Sequence, residues 1–126
     1  MNSVKGGMKN PESLEALEIA KKAWEALEKK KGEKILLLDV KELTGITDFY
    51  LLASGSSAPH LKAMFSEVQH ALKEEGIYCY RKAGKSESGW LVLDYIDVVI
   101  HVFSAEARQY YAVEELWGEA PIIPHQ

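Results

Sequence analysis

The sequence predicts an α/β domain of α+β character, with helices packed on a mixed five-stranded sheet. Three observations lead there. Apolar residues recur at three- and four-residue spacing in the segments after Asn10 and Ser56, the signature of helices with one buried stripe. Two continuous apolar runs, Lys34 to Val40 (KILLLDV) and Asp48 to Ser54 (DFYLLAS), have the pattern of strands covered on both faces. Three further strand patterns between Ile77 and Phe103 are separated by turn residues. The predicted order is α-β-β-α-β-β-β-α, and 126 residues suffice for one domain without disulfides or metal.

Each element has its own warrant. Residues 1–9 contain two adjacent glycines and are expected to be flexible. Asn10-Pro11-Glu12 starts a helix with a cap, a proline in the first helical position and an acid in the first turn. Leu14, Leu17, Ala20, Trp24 and Leu27 form its stripe, Lys29 to Lys31 suit its negative end, and Gly32 stops it. After the first strand, Leu43 to Thr47 reads as a connection. Gly55-Ser56-Ser57 turns the second strand into a helix whose stripe is Leu61, Met64, Phe65, Val68 and Leu72, ended by Gly76. The third strand is expected over Ile77 to Ala83, followed by the polar turn Gly84 to Gly89. Trp90 to Tyr95 and Asp97 to Phe103 form a hairpin turning near Ile96, and Ser104 caps a last helix running to about Trp117. The domain is expected over 10–118, with Pro121 and Pro124 keeping 119–126 as an extended tail.

Composition narrows the function. Apolar residues make up 47% and charged residues 27%, ordinary for a soluble globular protein. Cys79 is the single cysteine, so no disulfide can close within the chain. The N-terminus has no apolar core of signal-peptide length, and Ile35 to Leu38 is far too short to cross a bilayer, so the cytoplasm is the expected compartment and no membrane partner is expected. Residues 86–126 carry seven acids against one base, Arg108, whereas residues 1–85 carry 14 bases and 12 acids. A strongly basic patch of the kind that reads nucleic acid is absent, and the acidic third suits a basic protein partner or is a solvated face.

Catalytic chemistry finds little support. The turn Ala53-Ser54-Gly55-Ser56-Ser57 could offer backbone N–H groups to an anion, but lacks the spacing of a P-loop or dinucleotide loop. It is similar to the Gly-Ser turn of nucleotidyltransferases. Those enzymes need clustered carboxylates to hold metal, and here the first acid after the turn is Glu67. Asp94 and Asp97 flank a hairpin turn without a third ligand, so no metal is expected, and no cofactor either. His60 and His70 are ten residues apart, and His101 lies in an apolar strand. Cys79 reads as packing. The segment from Trp90 to Phe103 differs from these. Alternation puts Trp90, Val92 and Asp94 on one face and Leu91, Leu93 and Tyr95 on the other, and both faces carry apolar bulk. Aromatic residues beside acids suit an interface hot spot, but also a core strand with an acidic turn.

Several motifs in order resemble the ribosomal silencing factor, or Iojap, family. They are Leu38-Asp39-Val40, Ile46 to Tyr50, Ala53 to Ser57, Gly89 to Tyr95, Asp97 to Phe103, Arg108 with Tyr111, and Leu116-Trp117-Gly118. The likeness runs from about Leu14 to Trp117. It implies a non-enzymatic fold similar to nucleotidyltransferases but without their catalytic acids. It further implies a translation repressor of nutrient limitation. The implied partner is a basic protein of the large ribosomal subunit, the fourteenth in the usual naming, on the face that meets the small subunit, so that occupancy blocks subunit joining. Carried over as contact residues are Trp90, Leu91, Asp94, Tyr95 and Asp97, with His101 and Lys82. A nucleotide-binding enzyme and a dimerising scaffold are the rival readings, and a homodimer is compatible with ribosome binding.

Overall fold

In the computed structural model the described residues are 11–112, 115 and 118–124, the side chains of 11–14 excepted. The expected flexible segment 1–9, the Asn10 cap, the Leu14 side chain, Leu116-Trp117 and His125 lie outside them. Helix α1 spans Pro11–Lys29 and packs against α3, Ala58–Glu74. Its most buried stripe is Ala16, Ala20, Ala23, Ala26 and Leu27, while Leu17 and Trp24 are only half-buried. Small side chains let the two helices approach closely, so alanines rather than the larger residues occupy the contact. The helix ends through two crossed bonds, Gly32 N–H to the Leu27 carbonyl and Lys31 N–H to that of Glu28. The left-handed residue is Lys31, at φ +63°, rather than the expected Gly32. Gly32 is required for space, because a Cβ there would sit 3.0 Å from both the Leu27 carbonyl oxygen and the Met64 methyl carbon.

Among the described residues the sheet has six strands rather than five, in the order β3-β4-β5-β2-β1-β6. They are β1 (Glu33–Asp39), β2 (Phe49–Gly55), β3 (Arg81–Lys85), β4 (Trp90–Asp94), β5 (Val98–Ser104) and β6 (Ile122–Ile123). The additional strand comes from the C-terminal segment: Ile122 and Ile123 pair antiparallel with Leu38 and Leu37. Its two residues between prolines carry no alternation to read. β2 and β5 run parallel at the centre, and all other neighbours are antiparallel. The expected meander β3-β4-β5 and the turn at Ile96 (φ +74°) are present.

Local corrections have local causes. Lys41–Thr44, of which Leu43 and Thr44 were expected in a connection, forms the short helix α2, closed by left-handed Gly45 at φ +66°. β3 starts at Arg81 instead of Ile77, because Ile77 N–H bonds back to the Leu72 carbonyl in the exit turn of α3. Ser57 caps α3, its Oγ accepting from the His60 N–H at 3.2 Å; of the expected stripe, Leu61, Met64, Val68 and Leu72 are fully buried and Phe65 is half-buried. Ser104 likewise caps α4, described over Ala105–Tyr110. α1 and α3 cover one face of the sheet, over Phe49, Leu51, Leu93, Ile100 and Val102. Burial of each such side chain stabilises the fold by about 1.5–3 kcal/mol. Among the described residues no helix is long and apolar enough to cross a membrane.

Candidate functional site

Among the described residues, the face of the sheet opposite the helices is only partly covered. Cross-strand register places its side chains in rows. One row runs Arg81, Asp94, Val99, Tyr50 and Leu38; the next runs Ala83, Val92, His101 and Leu52; the third runs Lys85, Trp90, Phe103 and Ser54. The C-terminal segment closes one end, where Ala120 packs with Leu38, Val40, Leu52 and Phe103. Arg108 holds that end from below. It is buried and donates to the Lys34 carbonyl and the Ser54 hydroxyl, each at 2.9 Å, which satisfies a carbonyl turned outward where β1 bulges.

At the β4–β5 end the described residues leave the face open. A depression of ≈ 550 Å³ lies between Tyr50, Tyr80, Arg81, Val92, Asp94 and His101, with exposed Ile46 and Ile96 on its rim. Trp90 stands beside it, half-buried, 4.9 Å from the Phe103 ring and 5.1 Å from that of Tyr111. The Trp90 indole N–H donates to His101 Nδ1 at 3.1 Å. An indole nitrogen only donates, so Nδ1 accepts and the neutral imidazole carries its proton on Nε2. Tyr50 meets the same imidazole edge-on at 5.1 Å. His101 is 8% exposed, and burial holds its pKa down to about 4. Asp94 accepts from Arg81 at 3.4 Å and, through its other oxygen, from the Ile96 N–H at 2.7 Å, which fixes the turn. Partial burial and then the Asp94 charge push the Tyr50 phenol above its ordinary value, so it is a neutral donor.

The sequence-derived contact residues divide by face. Trp90, Asp94 and His101 come together on the open side. Leu91 and Tyr95 point under the helices at 5% and 7% exposure and belong to the core. Lys82 pairs with Leu93 and so projects to the helix side of the sheet edge, whereas its neighbour Arg81 reaches Asp94. Asp97 sits in the turn, where its carbonyl accepts from the Asp48 and Phe49 N–H groups at 3.0 and 3.1 Å. Partial burial, then the Asp97 charge, raises the Asp48 pKa, with Lys41 opposing. Tyr50, Tyr80, Arg81 and Val99 were not singled out from the sequence. Alternation alone places Tyr50 and Val99 on the side opposite Leu51 and Ile100, but only register shows that the two are neighbours.

The Gly-Ser turn is occupied by its own contacts. Ser56 N–H donates to His60 Nδ1 at 2.9 Å, and His60 Nε2 reaches the Lys30 carbonyl at 2.7 Å. Gly55 is there for packing, since a Cβ would lie 2.7 Å from a Leu61 methyl. Carboxylates, not cations, flank the adjoining cleft: Glu87 and Glu106. Among the described residues no group of three or more His, Cys, Asp or Glu side chains is placed to hold a metal ion.

Comparison with known proteins adds an independent line. A family profile described as "Ribosomal silencing factor during starvation" matches residues 13–126. The ribosomal silencing factor RsfS of Halalkalibacterium halodurans is 36% identical over 106 residues, covering 84% of this chain and 91% of that one. That of Chromobacterium violaceum is 40% identical over 105 residues, covering 83% and 86%. A crystal structure of a protein from Chromobacterium violaceum superposes with a TM-score of 0.78 at 40% identity, over 82% of this chain and 86% of that chain.

Proposed function

The chain belongs to the ribosomal silencing factor family, and from that premise we propose that it represses translation by occupancy. In this reading its open sheet face docks on a basic protein of the large ribosomal subunit, the fourteenth in the usual naming. The bound chain then stands where the small subunit would join. No bond is made or broken, and the site of action is the cytoplasm.

The observation that carries the reading is the open face itself. It combines an anchoring indole, a depression rimmed by exposed Ile46, Tyr80 and Ile96, and a carboxylate. Aromatic anchors beside a pocket, ringed by groups that exclude water, are how small interfaces concentrate binding energy. Asp94 supplies the charge that a basic partner meets, and its pairing with Arg81 keeps it oriented. The contact set is therefore Trp90, Asp94 and His101, joined by Tyr50, Tyr80 and Ile96. Leu91 and Tyr95 support it from the core side, and Asp97 shapes the turn.

The test is co-sedimentation of Trp90→Ala with purified large subunits. Loss of about 2 kcal/mol or more of binding, roughly thirtyfold, is expected of a hot-spot truncation. Wild-type affinity in a folded Trp90→Ala chain would remove the open face from the reading.

A further inference from the structure

The β3 edge carries a second surface, opposite in charge to the acidic C-terminal third. Among the described residues β3 has β4 as its only neighbour, and all five of its residues are exposed. Arg81, Lys82 and Lys85 lie on it. Lys73, at the end of α3, shares with Lys82 a shallow cavity of ≈ 260 Å³ that no carboxylate lines. The sequence from Gly76 to Lys85 contains no acid. Among the described residues Lys73, Lys82 and Lys85 form no ion pair; Arg81 is held by Asp94.

Lysines on a sheet edge are also a device against unwanted strand pairing. That device does not account for Tyr78 and Tyr80, which stand 67% and 68% exposed between the cations. An acidic strand adding to this edge would need regular backbone. Gly84 denies it, with φ +89° and no room for a Cβ against the Trp90 carbonyl. Cations beside the exposed Tyr78 ring instead match RNA, whose phosphates take the charge and whose unstacked bases take the ring.

We propose that the β3 edge contacts a loop or single-stranded segment of large-subunit RNA. Lys73 and Lys82 meet phosphates, and Tyr78 stacks on an unpaired base. The inference rests on the reading above only in taking the large subunit as the target. It adds a sequence-independent grip beside the protein contact.

The test measures the full chain, Lys73→Ala and Tyr78→Ala against three targets: purified large subunits, the isolated ribosomal protein, and an oligouridylate of about 12 nucleotides. Salt runs from about 50 to 200 mM. Both substituted residues are exposed, so folding is not at stake. For subunits, Lys73→Ala should lower the slope of log affinity against log salt by about 1. Tyr78→Ala should weaken binding by about fivefold at every salt, with the slope unchanged. Both should weaken oligouridylate binding, and neither should alter affinity for the isolated protein. Unchanged subunit affinity and slope would overturn the proposal, and so would no oligouridylate binding by the wild type. Equal losses against the isolated protein would reassign the edge to a protein contact. If the wild type ignored the isolated protein but kept the RNA effects, the docking reading would fall and this one would stand.

Discussion

Two faces of one sheet are built by the same strands and differ in their share of polar-tipped side chains. Under α1 and α3 lie Leu51, Ala53, Leu91, Leu93, Ile100 and Val102, all aliphatic and all buried. On the reverse of those strands stand Tyr50, Trp90, Asp94, Val99 and His101, of which only His101 is buried. Both sets read as apolar bulk in the sequence. The difference is that tyrosine, tryptophan and histidine pair an apolar body with a polar tip, and so sit stably at a half-wet surface. Aliphatic residues predominate in the core, which also takes in Phe49 and Tyr95. Amphipathic ones mark the face left for something else to cover.

The comparison breaks most visibly if the faces are emptied one at a time. Leu93 is fully buried at the centre of the covered face. Leu93→Ala should cost about 3 kcal/mol of stability, transfer and cavity terms together, measured by denaturant unfolding. While the chain is still folded it should bind large subunits as the wild type does. Trp90→Ala should reverse the ranking, losing more in binding than Leu93→Ala does. If a fully folded Leu93→Ala chain bound as weakly as Trp90→Ala, the two faces would not be functionally separate.

Next in size is the effect of acid on the open face. The unfolded chain protonates histidine near 6.5, whereas burial lowers His101 to about 4 in the folded protein. Between those values the unfolded state binds more protons, so stability falls as the pH falls. The His101 contribution is fully present above 6.5, and about 2 kcal/mol of it should go between pH 7 and pH 5. Protonation would also set a second donor against the Trp90 N–H, loosening the indole that anchors the face. Asp48, raised chiefly by burial and then by Asp97, works in the opposite sense at the more acidic end. Unfolding measured against pH should show this loss, and His101→Gln should flatten it. A flattened profile with the histidine intact would mean that the ring is hydrated rather than packed.

How much of this was legible beforehand follows from which signals are local. Periodicity and caps act within a few residues. The stripe of α3, the Ser57 and Ser104 caps and the Ile96 turn were therefore all readable. β6 was not, because two residues pairing with a strand more than eighty positions away leave no periodic trace. The two-face split of Trp90 to Tyr95 was readable from alternation. Which face stays open was not, since that depends on where α1, α3 and the C-terminal segment pack. The same gap separates Lys82 from Arg81: adjacent residues on a strand point to opposite faces, and only register puts Arg81 beside Asp94. Tyr50 entered the site through long-range pairing with Val99.

The smallest effect discriminates best between packing and steering. Asp94 has an exposed partner in Arg81, and an exposed pair of this kind is worth well under about 1 kcal/mol. Its other role, accepting the Ile96 N–H at 2.7 Å, is one that an asparagine side-chain oxygen also performs. Asp94→Asn should therefore change stability by less than about 0.5 kcal/mol and leave the turn intact. What it removes is a negative charge at the mouth of the depression, and steering by such a charge acts on the association rate. Stopped-flow binding to the basic ribosomal protein should slow at low ionic strength. The difference from wild type should fade near 1 M salt, where the screening length is about 3 Å. A defect of equal size at both salts would place Asp94 inside the packed interface. No defect at either would leave the open face with aromatic contacts alone, and the acid would then serve the turn rather than the partner.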